Sequence, residues 1–357
     1  MSGTSVSAEF YPPTFVVEIN GARIDPLAAY SIRSLEVQEG INRASAFSLA
    51  VQDDVRDGQF TWIGHTLFKV GNTVRISVGY VGDNVVIGEG KIQNINAQFT
   101  ESGHPSFTVE GAGDGYQKLT VPSAMYVFKE KSLRDVVARV AQLVGADPEI
   151  DVGDENVPIR TKRGGYSYFD FLKELARDGH YDVEFSAKKL WFGTPRQDRE
   201  PIMTLEWGQN LISFNPTLNT SRAVSAVVVR AWDKKRKEAI DVRVSPGDEM
   251  PQESRAQLSS RFTEQTFGEV VRVITNRPLN SVDDARKLGK AALNKLSENL
   301  IRGSATTVGL PQLRPGICLR LKSVGTWFSG KYYVENVTHR IDDSGYRTTF
   351  EGRRNAL

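Results

Sequence analysis

The chain has 357 residues, which is too long for one ordinary hydrophobic core, so we expect two to four compact units. Apolar residues make up 39% and charged residues 25%, a globular composition that excludes wholesale disorder. Lys and Arg total 45 against 43 for Asp and Glu. A net charge of only +2 lacks the basic excess of proteins that neutralise many phosphates, so we expect no nucleic acid partner.

The sequence also argues against a membrane span, a disulfide and a metal centre. No apolar run approaches the roughly 20 residues that cross a bilayer, and residues 1–10 lack the basic and apolar parts of a signal peptide. We therefore expect folding and assembly in the cytoplasm, with no membrane insertion. Cys318 is the only cysteine, so the four histidines have no thiol cluster to join, and we predict no metal or cofactor. On a predicted strand, Cys318 fits a small buried hydrophobe.

Residues 14–117 read as a succession of short strands that form a first β-barrel. Asn20-Gly21 is a hairpin signal of the type that needs positive φ. Apolar and polar residues alternate in several segments, which indicates strands with one buried face. Ile87 to Ile92 reads as strand, turn and strand. Seven or eight such segments at regular spacing are typical of a closed or nearly closed antiparallel barrel. The main predicted strands are 15–19, 31–38, 46–51, 73–80, 85–87, 90–99 and 106–110.

Residues 118–199 form a predicted small α+β unit. Ser132 is a candidate N-cap with Asp135 three residues on, and apolar residues then recur at helical spacing until Gly145. A second helix begins at Ser167 and ends near Gly179. Two strands follow the second helix, at 181–185 and 190–192, with a turn at Lys188-Lys189.

The next part of the chain is predicted to start a second barrel that an insertion interrupts. Residues 211–230 read as a hairpin or strand pair with a turn at Asn215-Pro216, and the apolar run 223–229 fits a buried strand. Residues 234–303 are the insertion, with one long helix that is capped by Ser281 and runs to Gly303. The second barrel would then consist of 200–233 and 304–357.

The C-terminal stretch predicts a three-stranded meander. A loop turns at Pro315-Gly316, and strands follow that are separated by turns at Phe328-Ser329-Gly330 and Asp343-Ser344-Gly345. The predicted fold class is therefore α+β and mainly β, with two antiparallel barrels, a small α+β domain and a helical insertion.

Three segments resemble the hub domain of the late control gene D family, and with it the hub portion of type VI secretion VgrG spikes. The first is the C-terminal order of Leu313-x-Pro-Gly, Phe-Ser-Gly-Lys-Tyr-Tyr-Val from Phe328, Val-Thr-His from Val337 and Gly-Tyr-x-Thr-x-Phe from Gly345. The second is the helix that starts Ser167-x-x-x-Phe-Leu, although tyrosines replace the polar flanks of the family pattern. The third is Val229-Arg-Ala-Trp-Asp, with alanine in place of the usual glycine.

The resemblance implies a structural, non-enzymatic role at the centre of a contractile tail baseplate or a contractile injection system. It implies two tail-tube-like barrels per subunit and a homotrimer, so that six barrels adapt a hexameric inner tube to a trimeric spike. The implied partners are a second and third copy of the chain, the inner tube or a tube-initiator protein, a separate spike protein and baseplate wedge proteins. The protein would be made in the bacterial cytoplasm and assembled into a virion or injection particle.

The main alternative is a tail-tip cell-wall hydrolase or a carbohydrate-binding β protein. A hydrolase needs two acids on opposite sides of a cleft, and Asp151, Asp154 and Glu155 are the candidates. We interpret them as solvated turn residues in a loop. The glycine-rich segment 111–115 lacks the Lys-Ser or Lys-Thr pair and the following helix of a phosphate loop, so it is interpreted as a strand exit.

The histidines and one basic run also have structural interpretations. His180 is predicted to cap a helix C-terminus, and His339 to be a hydrogen-bonded packing residue or a subunit contact. His65 and His104 lie in turn-like contexts without a visible partner. The run 234–237 is a solvated hairpin tip or a docking patch for an acidic neighbour.

No catalytic residue is predicted. The structural or interface candidates are Phe171, Leu172, Phe328, Gly330, Tyr332, Tyr333, His339, Gly345, Tyr346 and Phe350.

Overall fold

A computed structural model describes residues 12–80, 82–101, 103–153, 156–233, 236–253, 258–275, 279 and 281–357, without the side chains of 156–159. Strands account for 48% of the residues, and six helices lie in the described ranges. The predicted α+β, mainly β class is confirmed. Across these ranges, no helix is both long and apolar enough to span a bilayer. The closure of two barrels and the domain limits stay predictions.

The N-terminal part encloses a core of aliphatic and aromatic side chains. The turn at Asn20-Gly21 has the positive φ values that the sequence predicts, 53° and 78°. Pro26 opens a short helix that the sequence analysis missed, which Asp25 caps through the Leu27 amide. The elements are β1 (Pro13–Ile19), β2 (Ala22–Arg23), α1 (Pro26–Ser31), β3 (Ile32–Gly40), β4 (Arg43–Gln52), β5 (Val55–Arg56), β6 (Gln59–Phe60), a 3-10 turn (Thr66–Phe68), β7 (Thr73–Tyr80), β8 (Asp83–Gln98) and β9 (Ser106–Ala112).

The predicted turn within 87–92 is wrong, because β8 runs through it as one strand of 16 residues. Its glycines serve close packing instead. A Cβ on Gly90 would lie 2.1 Å from the Ala112 carbonyl oxygen, and one on Gly88 would lie 3.1 Å from the Val37 side chain. The chain therefore uses glycine here where backbone and neighbour approach too closely for a side chain.

Elements from α2 to β14 pack around a second apolar core, and we call them the α3–α4 unit. The predicted capping box is confirmed, since Ser132 accepts the Asp135 amide and Asp135 accepts the Ser132 amide. Ser167 caps the next helix as predicted. Asp151 ends a strand rather than lying in a loop, because its segment pairs in parallel with β14. The elements are α2 (Tyr116–Thr120), β10 (Tyr126–Ser132), α3 (Leu133–Val144), β11 (Asp147–Asp151), β12 (Asn156–Lys162), α4 (Tyr168–Gly179), β13 (Asp182–Ser186) and β14 (Lys189–Gly193).

The predicted hairpin at 211–230 is wrong, because its two halves belong to different sheets. No turn forms at Asn215-Pro216, and the strand that contains Pro216 lies at a sheet edge, where a missing amide proton is tolerated. Residues 226–233 were predicted in the second barrel, but they pair with the two insertion strands. The elements are β15 (Thr204–Glu206), β16 (Leu211–Leu218), β17 (Ala226–Asp233), β18 (Glu238–Val244), α5 (Ser259–Phe267), β19 (Val271–Ile274), α6 (Val282–Ser297) and β20 (Ile301–Val308).

Helix α6 packs on the β18-β17-β19 sheet through apolar side chains, and Ser281 caps it as predicted. It ends at Ser297 rather than at Gly303, because residues from Ile301 onward pair with the C-terminal strand.

The predicted C-terminal meander is confirmed. It consists of β21 (Cys318–Lys322), β22 (Gly330–Asp342) and β23 (Gly345–Arg354), joined by antiparallel pairing. Cys318 is 1% exposed, as expected of a small buried residue, and burial raises the pKa of its thiol to about 11.

Strand β22 connects the C-terminal part to the N-terminal part. It pairs with β3 from Leu35 opposite Ile341 to Gly40 opposite Asn336. The main sheet therefore runs without interruption in the order β16-β20-β23-β22-β3-β4-β9-β8-β7-β1-β2. The α3–α4 unit joins this sheet through a short parallel contact of β13 with β4.

Candidate functional site

One face of the main sheet is polar across six strands, from β20 to β9. Thr306, Thr349, Thr338 and Gln38 lie in one cross-strand row. The next row consists of Arg347, Arg340, Glu36, Ser48 and Glu110, so it contains charges of both signs. Side chains alternate between the faces of a strand, so the residues between these rows face the core.

Two shallow clefts lie along this polar face. One of about 450 Å³ is lined by Glu36, Thr338, Arg340 and Thr349, among others, and one of about 290 Å³ by Gln38, Ser48, Asn94 and Glu110, among others. Arg340 is held by Asp342 at 2.8 Å and Glu36 at 3.4 Å. The charge of Arg340 on this face is therefore compensated by its own neighbours.

Ionisable side chains from all parts of the chain also meet at a buried junction. Arg353 is 2% exposed, and its guanidinium forms ion pairs of 2.8 Å with both Glu298 and Glu335. His180 lies 2.5 Å from the same Glu298 oxygen. We use the term junction for Glu39, His180, Asp182, Glu184, Glu298, Arg314, Tyr333, Glu335 and Arg353.

A second group of contacts joins β13 to the sheet. The Tyr333 hydroxyl donates to Asp182 at 2.7 Å, and the Ser186 hydroxyl donates to Glu39 at 2.8 Å. Arg314 pairs with Glu39 and donates to the Ile87 carbonyl at 3.0 Å. The junction thus ties β13, β3 and β22 together through charge-assisted bonds.

Burial shifts the acid–base behaviour of these groups in different directions. Burial, reinforced by the charge of Glu39, raises the pKa of Glu184 to about 7. Burial also raises the pKa of Asp182, although Arg353 opposes the shift. Burial would raise the pKa of Glu298 too, but the Arg353 guanidinium and the His180 imidazole hold it well below its usual range. The pKa values of carboxyls within this one site are therefore shifted in opposite directions.

Most of the sequence-predicted candidates lie in cores or turns. Phe171 and Leu172 are buried in the α3–α4 unit, and Tyr332, Tyr333, Tyr346 and Phe350 are at most 6% exposed beside the C-terminal strands. Phe328 packs partly on the same C-terminal core. Gly345 occupies a tight turn with φ of 102°. A Cβ on Gly330 would lie 2.6 Å from the Arg354 guanidinium. Their interface role stays a prediction.

His339 is fully buried and bonded on both ring nitrogens. Its Nε2 donates to the Leu313 carbonyl at 3.0 Å, so its Nδ1 accepts from the Tyr346 hydroxyl at 2.8 Å. Burial and the Arg314 charge lower the pKa of His339 to about 3. The imidazole is therefore neutral across the physiological range.

The other histidines have partners that the sequence did not indicate. His180 follows the last residue of α4 in a left-handed conformation, as a C-cap, but its ring contacts Glu298 rather than the helix carbonyls. His65 accepts the Leu67 amide proton at 3.1 Å, and His104 lies 3.6 Å from Asp54.

Of the acids proposed for a hydrolase, Asp151 is exposed on β11, while Asp154 and Glu155 lie outside the described residues. Within the described ranges, no group of three His, Cys, Asp or Glu side chains has metal-binding geometry. The 111–115 segment is followed by the short helix α2, contrary to expectation, but it still lacks the phosphate-loop lysine. Of the basic run, Lys234 and Lys235 lie outside the described residues, and Lys237 lies in the β17–β18 turn.

An exposed apolar patch, which we call the end patch, lies at one end of the N-terminal part. The rings of Phe60 and Phe99 are 5.5 Å apart. The buried carboxylate of Asp53 accepts the amides of Thr61, Trp62 and Ile63, which fixes the loop that carries Phe60. The end patch consists of Val55, Phe60 and Phe99, which are 41–63% exposed, and Val55 lies opposite Phe60 in the β5–β6 pair.

Sequence reasoning missed both the junction and the end patch. The signal for the junction is that Glu335 and Arg353 interrupt apolar alternation in the predicted strands. Glu298, which pairs with Arg353, lies outside these strands, and His180, which contacts Glu298, is 118 residues from it, so neither residue carries a local signal.

Solved structures with the same fold come from phage tails and secretion systems. A 43 kDa tail protein of prophage MuSo2 from Shewanella oneidensis aligns with a TM-score of 0.71 and 14% identity, over 96% of this chain and 98% of that chain. A tail protein from Neisseria meningitidis MC58 aligns with a TM-score of 0.70 and 11% identity, over 97% of each chain. At these identities the likeness establishes a shared fold.

A third structure, an E. coli component of the type VI secretion system, is described as similar to T4 bacteriophage tail proteins. It aligns with a TM-score of 0.60 and 9% identity, over 94% of this chain and 76% of that chain. No curated protein matches this chain significantly in sequence. The predicted membership of the late control gene D family stays a prediction. Residues 11–343 match the family described as Alg8 N-terminal domain, and because this match spans most of the sequence, the chain belongs to that family.

Proposed function

We propose that this protein is a structural hub of a contractile tail baseplate or a contractile injection system. The observation that carries the proposal is the shared fold with two tail proteins over nearly the whole length of all three chains. A type VI secretion component shares the fold as well. The site supports an assembly role, because its most distinctive features are an exposed apolar patch and a buried structural junction.

The proposed assembly is a homotrimer that adapts a hexameric inner tube to a trimeric spike. Each subunit has two β-rich cores, one N-terminal and one C-terminal, joined through β3 and β22. Three subunits would therefore supply six β-rich cores in a ring, which matches sixfold symmetry above and threefold symmetry below.

The proposed partners are the inner tube or a tube-initiator protein, a separate spike and baseplate wedge proteins. An exposed apolar cluster such as the end patch is typical of a protein contact surface. A solved Francisella complex with this fold contains PdpA and VgrG, at a TM-score of 0.53. The protein would be made in the bacterial cytoplasm and assembled into the particle.

Mass measurement by multi-angle light scattering tests this proposal. The protein should form trimers at about 10 µM or above, alone or after its spike protein is added. A species that stays monomeric with its spike present would contradict the hub assignment. Incubation with peptidoglycan tests the non-enzymatic part: release of muropeptides that one Asp or Glu substitution abolishes would favour the hydrolase alternative instead.

A further inference from the structure

Strand β13 has one apolar and one polar face. Val183 and Phe185 are fully buried in the core of the α3–α4 unit. Asp182, Glu184 and Ser186 occupy the alternate positions, so they share the opposite face, toward the junction. The strand therefore holds its own unit together on one side and docks it on the sheet with the other.

The docking itself uses few groups. The Asn42 amide donates to the Val183 carbonyl at 2.6 Å, and only two residue pairs of β13 and β4 lie in parallel register, at Glu184 opposite Arg43 and Phe185 opposite Ala44. The remaining contacts of this face are the side-chain bonds of Asp182 and Ser186 described above. The α3–α4 unit also contacts α6 through α4 and Glu298 through His180, so a change in the charge of this face acts on one part of a larger contact.

Glu184 is the group without a partner at this face. Within the described residues its carboxyl forms no hydrogen bond and no ion pair, whereas Asp182 and Ser186 are both bonded. The Gly316 Cβ position is 4.0 Å from a Glu184 oxygen and 3.8 Å from the Tyr333 hydroxyl, which places this carboxyl beside β22.

Charged groups surround Glu184 from each neighbouring element. Glu39 from β3 and Asp182 from its own strand repel its anion, while Arg196 and Arg314 attract it. Both arginines are already engaged. Arg314 binds Glu39, and Arg196 lies 3.0 Å from Glu149 and 4.2 Å from the Trp191 ring centre. From β4, Arg43 lies opposite in register but binds Gln38.

We propose that β13 and the junction form a proton-operated latch, in which a neutral Glu184 carboxyl keeps the α3–α4 unit docked on β4 and an ionised one loosens it. The latch is independent of the proposed hub role, since it concerns the contact between two parts of one chain.

The direction of the effect follows from proton linkage. Burial and the Glu39 charge raise the pKa of Glu184 from 4.5 to about 7 in the docked state. Docking therefore gains stability that is fully present below pH 4.5 and lost as pH rises through about 7. Because one more proton is bound in the docked state within this window, the opening equilibrium changes by up to about tenfold per pH unit.

Hydrogen exchange at the Asn42 amide tests the latch, since this amide bonds across the docking contact. After correction for the intrinsic pH dependence of exchange, its protection factor should fall between pH 5 and 7 by up to about tenfold per pH unit and level off above pH 7. E184Q should stay protected at all pH values, at the wild-type level of pH 5. E174Q is the matched control, because Glu174 lies on α4 of the same unit but pairs with Arg163, away from the junction, so the wild-type slope should persist.

A second measurement covers the case in which E184Q does not fold. Carbon-13 titration of the wild-type glutamate carboxyls should reveal one resonance that titrates near pH 7. Three outcomes overturn the proposal: an Asn42 protection factor that is constant from pH 5 to 8, a slope that persists in E184Q, which would assign the proton to another junction group such as Asp182, or no glutamate carboxyl that titrates between pH 6 and 8.

Discussion

The two β-rich cores of this chain have different interiors. The core enclosed by β1, β3, β4 and β7–β9 is made of aliphatic and aromatic side chains, and Asp53 and Glu39 are its main buried charges. Beside the C-terminal strands, apolar residues share the interior with a fully buried imidazole, two hydroxyls and several ions. The buried polar residues of this part are Thr307, Lys331, Glu335, His339, Thr348, Arg353, Arg354 and Asn355.

The difference indicates which interactions determine how the elements around each core fit together. An apolar interior is stabilised by burial of area, which tolerates changes of shape at moderate cost. Buried ions are costly to desolvate and stabilise the fold only when every partner is present. The ions of the junction lie where β22, β23 and the C-terminal ends of α4 and α6 meet, and they define how these elements fit together. We therefore expect single substitutions there to cost more.

The largest effect is expected for Arg353→Met, which sharpens this comparison. The substitution removes the buried cation that Glu298 and Glu335 share, and leaves Lys295 as a partner of Glu298 and Arg302 as a partner of Glu335. Loss of one partner of a buried ion pair typically costs about 3–5 kcal/mol. Urea unfolding should reveal this loss. Arg347→Met is the control, because Arg347 is an exposed residue of the same strand, β23. It should change the free energy of unfolding by less than about 0.5 kcal/mol. Equal effects of the two variants would mean that the junction contributes nothing to stability.

Phe350→Ala tests the apolar core on the other face of β23. Phe350 is 1% exposed, and truncation of a buried aromatic costs about 3–5 kcal/mol. The melting temperature and particle assembly should fall together. Thr349→Ala, at an exposed neighbouring position, should leave both unchanged. Normal stability with lost assembly would instead place Phe350 at an interface.

Sequence patterns predicted most of the elements whose causes are local. The caps at Ser132, Ser167 and Ser281 and the turn at Asn20-Gly21 formed as expected, because each depends on residues within one turn of the chain. The turn predicted near Gly88 did not form. Gly88 and Gly90 instead allow close packing against Val37 and Ala112, which are distant in sequence. Local patterns cannot separate these two uses of glycine.

The junction could not be predicted for the same reason. His180 and Glu298 are 118 residues apart, and neither has a local pattern that announces the other. The turn predicted at Asn215-Pro216 failed for a related reason. A strand tolerates a proline at the edge of a sheet, and the edge position of β16 depends on the strand order of the whole sheet. Burial of His339 beside Leu313 was compatible with the predicted packing role, but its two hydrogen bonds depend on the fold.

His339→Gln should have an intermediate effect and tests whether the C-terminal core is neutral at this position. The folded-state pKa of His339 is lowered to about 3, so the unfolded chain binds the proton first as pH falls below 6.5. Wild-type stability should thus decrease below pH 6.5, by up to about 1.4 kcal/mol per pH unit. The variant should be less stable at pH 6–7.5, without a pH step in the trimer equilibrium, and should lack the slope below pH 6.5. A trimer dissociation step between pH 6 and 7.5 that the variant abolishes would show a subunit contact instead.

The smallest effect on stability is expected in the N-terminal part, for Phe99→Ser in the end patch. Phe99 is 63% exposed, so its replacement removes little buried area, and the free energy of unfolding should change by less than about 0.5 kcal/mol. Assembly with other tail components should nevertheless weaken, because an aromatic residue in an exposed apolar patch is typical of a binding hot spot. Sedimentation of the variant with the tube and spike proteins measures this loss. Val55→Ser should behave in the same way if the patch acts as one surface, whereas Trp232→Ser, which removes an exposed aromatic residue from the predicted insertion boundary, should leave assembly unchanged. If all three variants assemble normally, the end patch is not a contact surface, and the contrast between the two cores rests on their interiors alone.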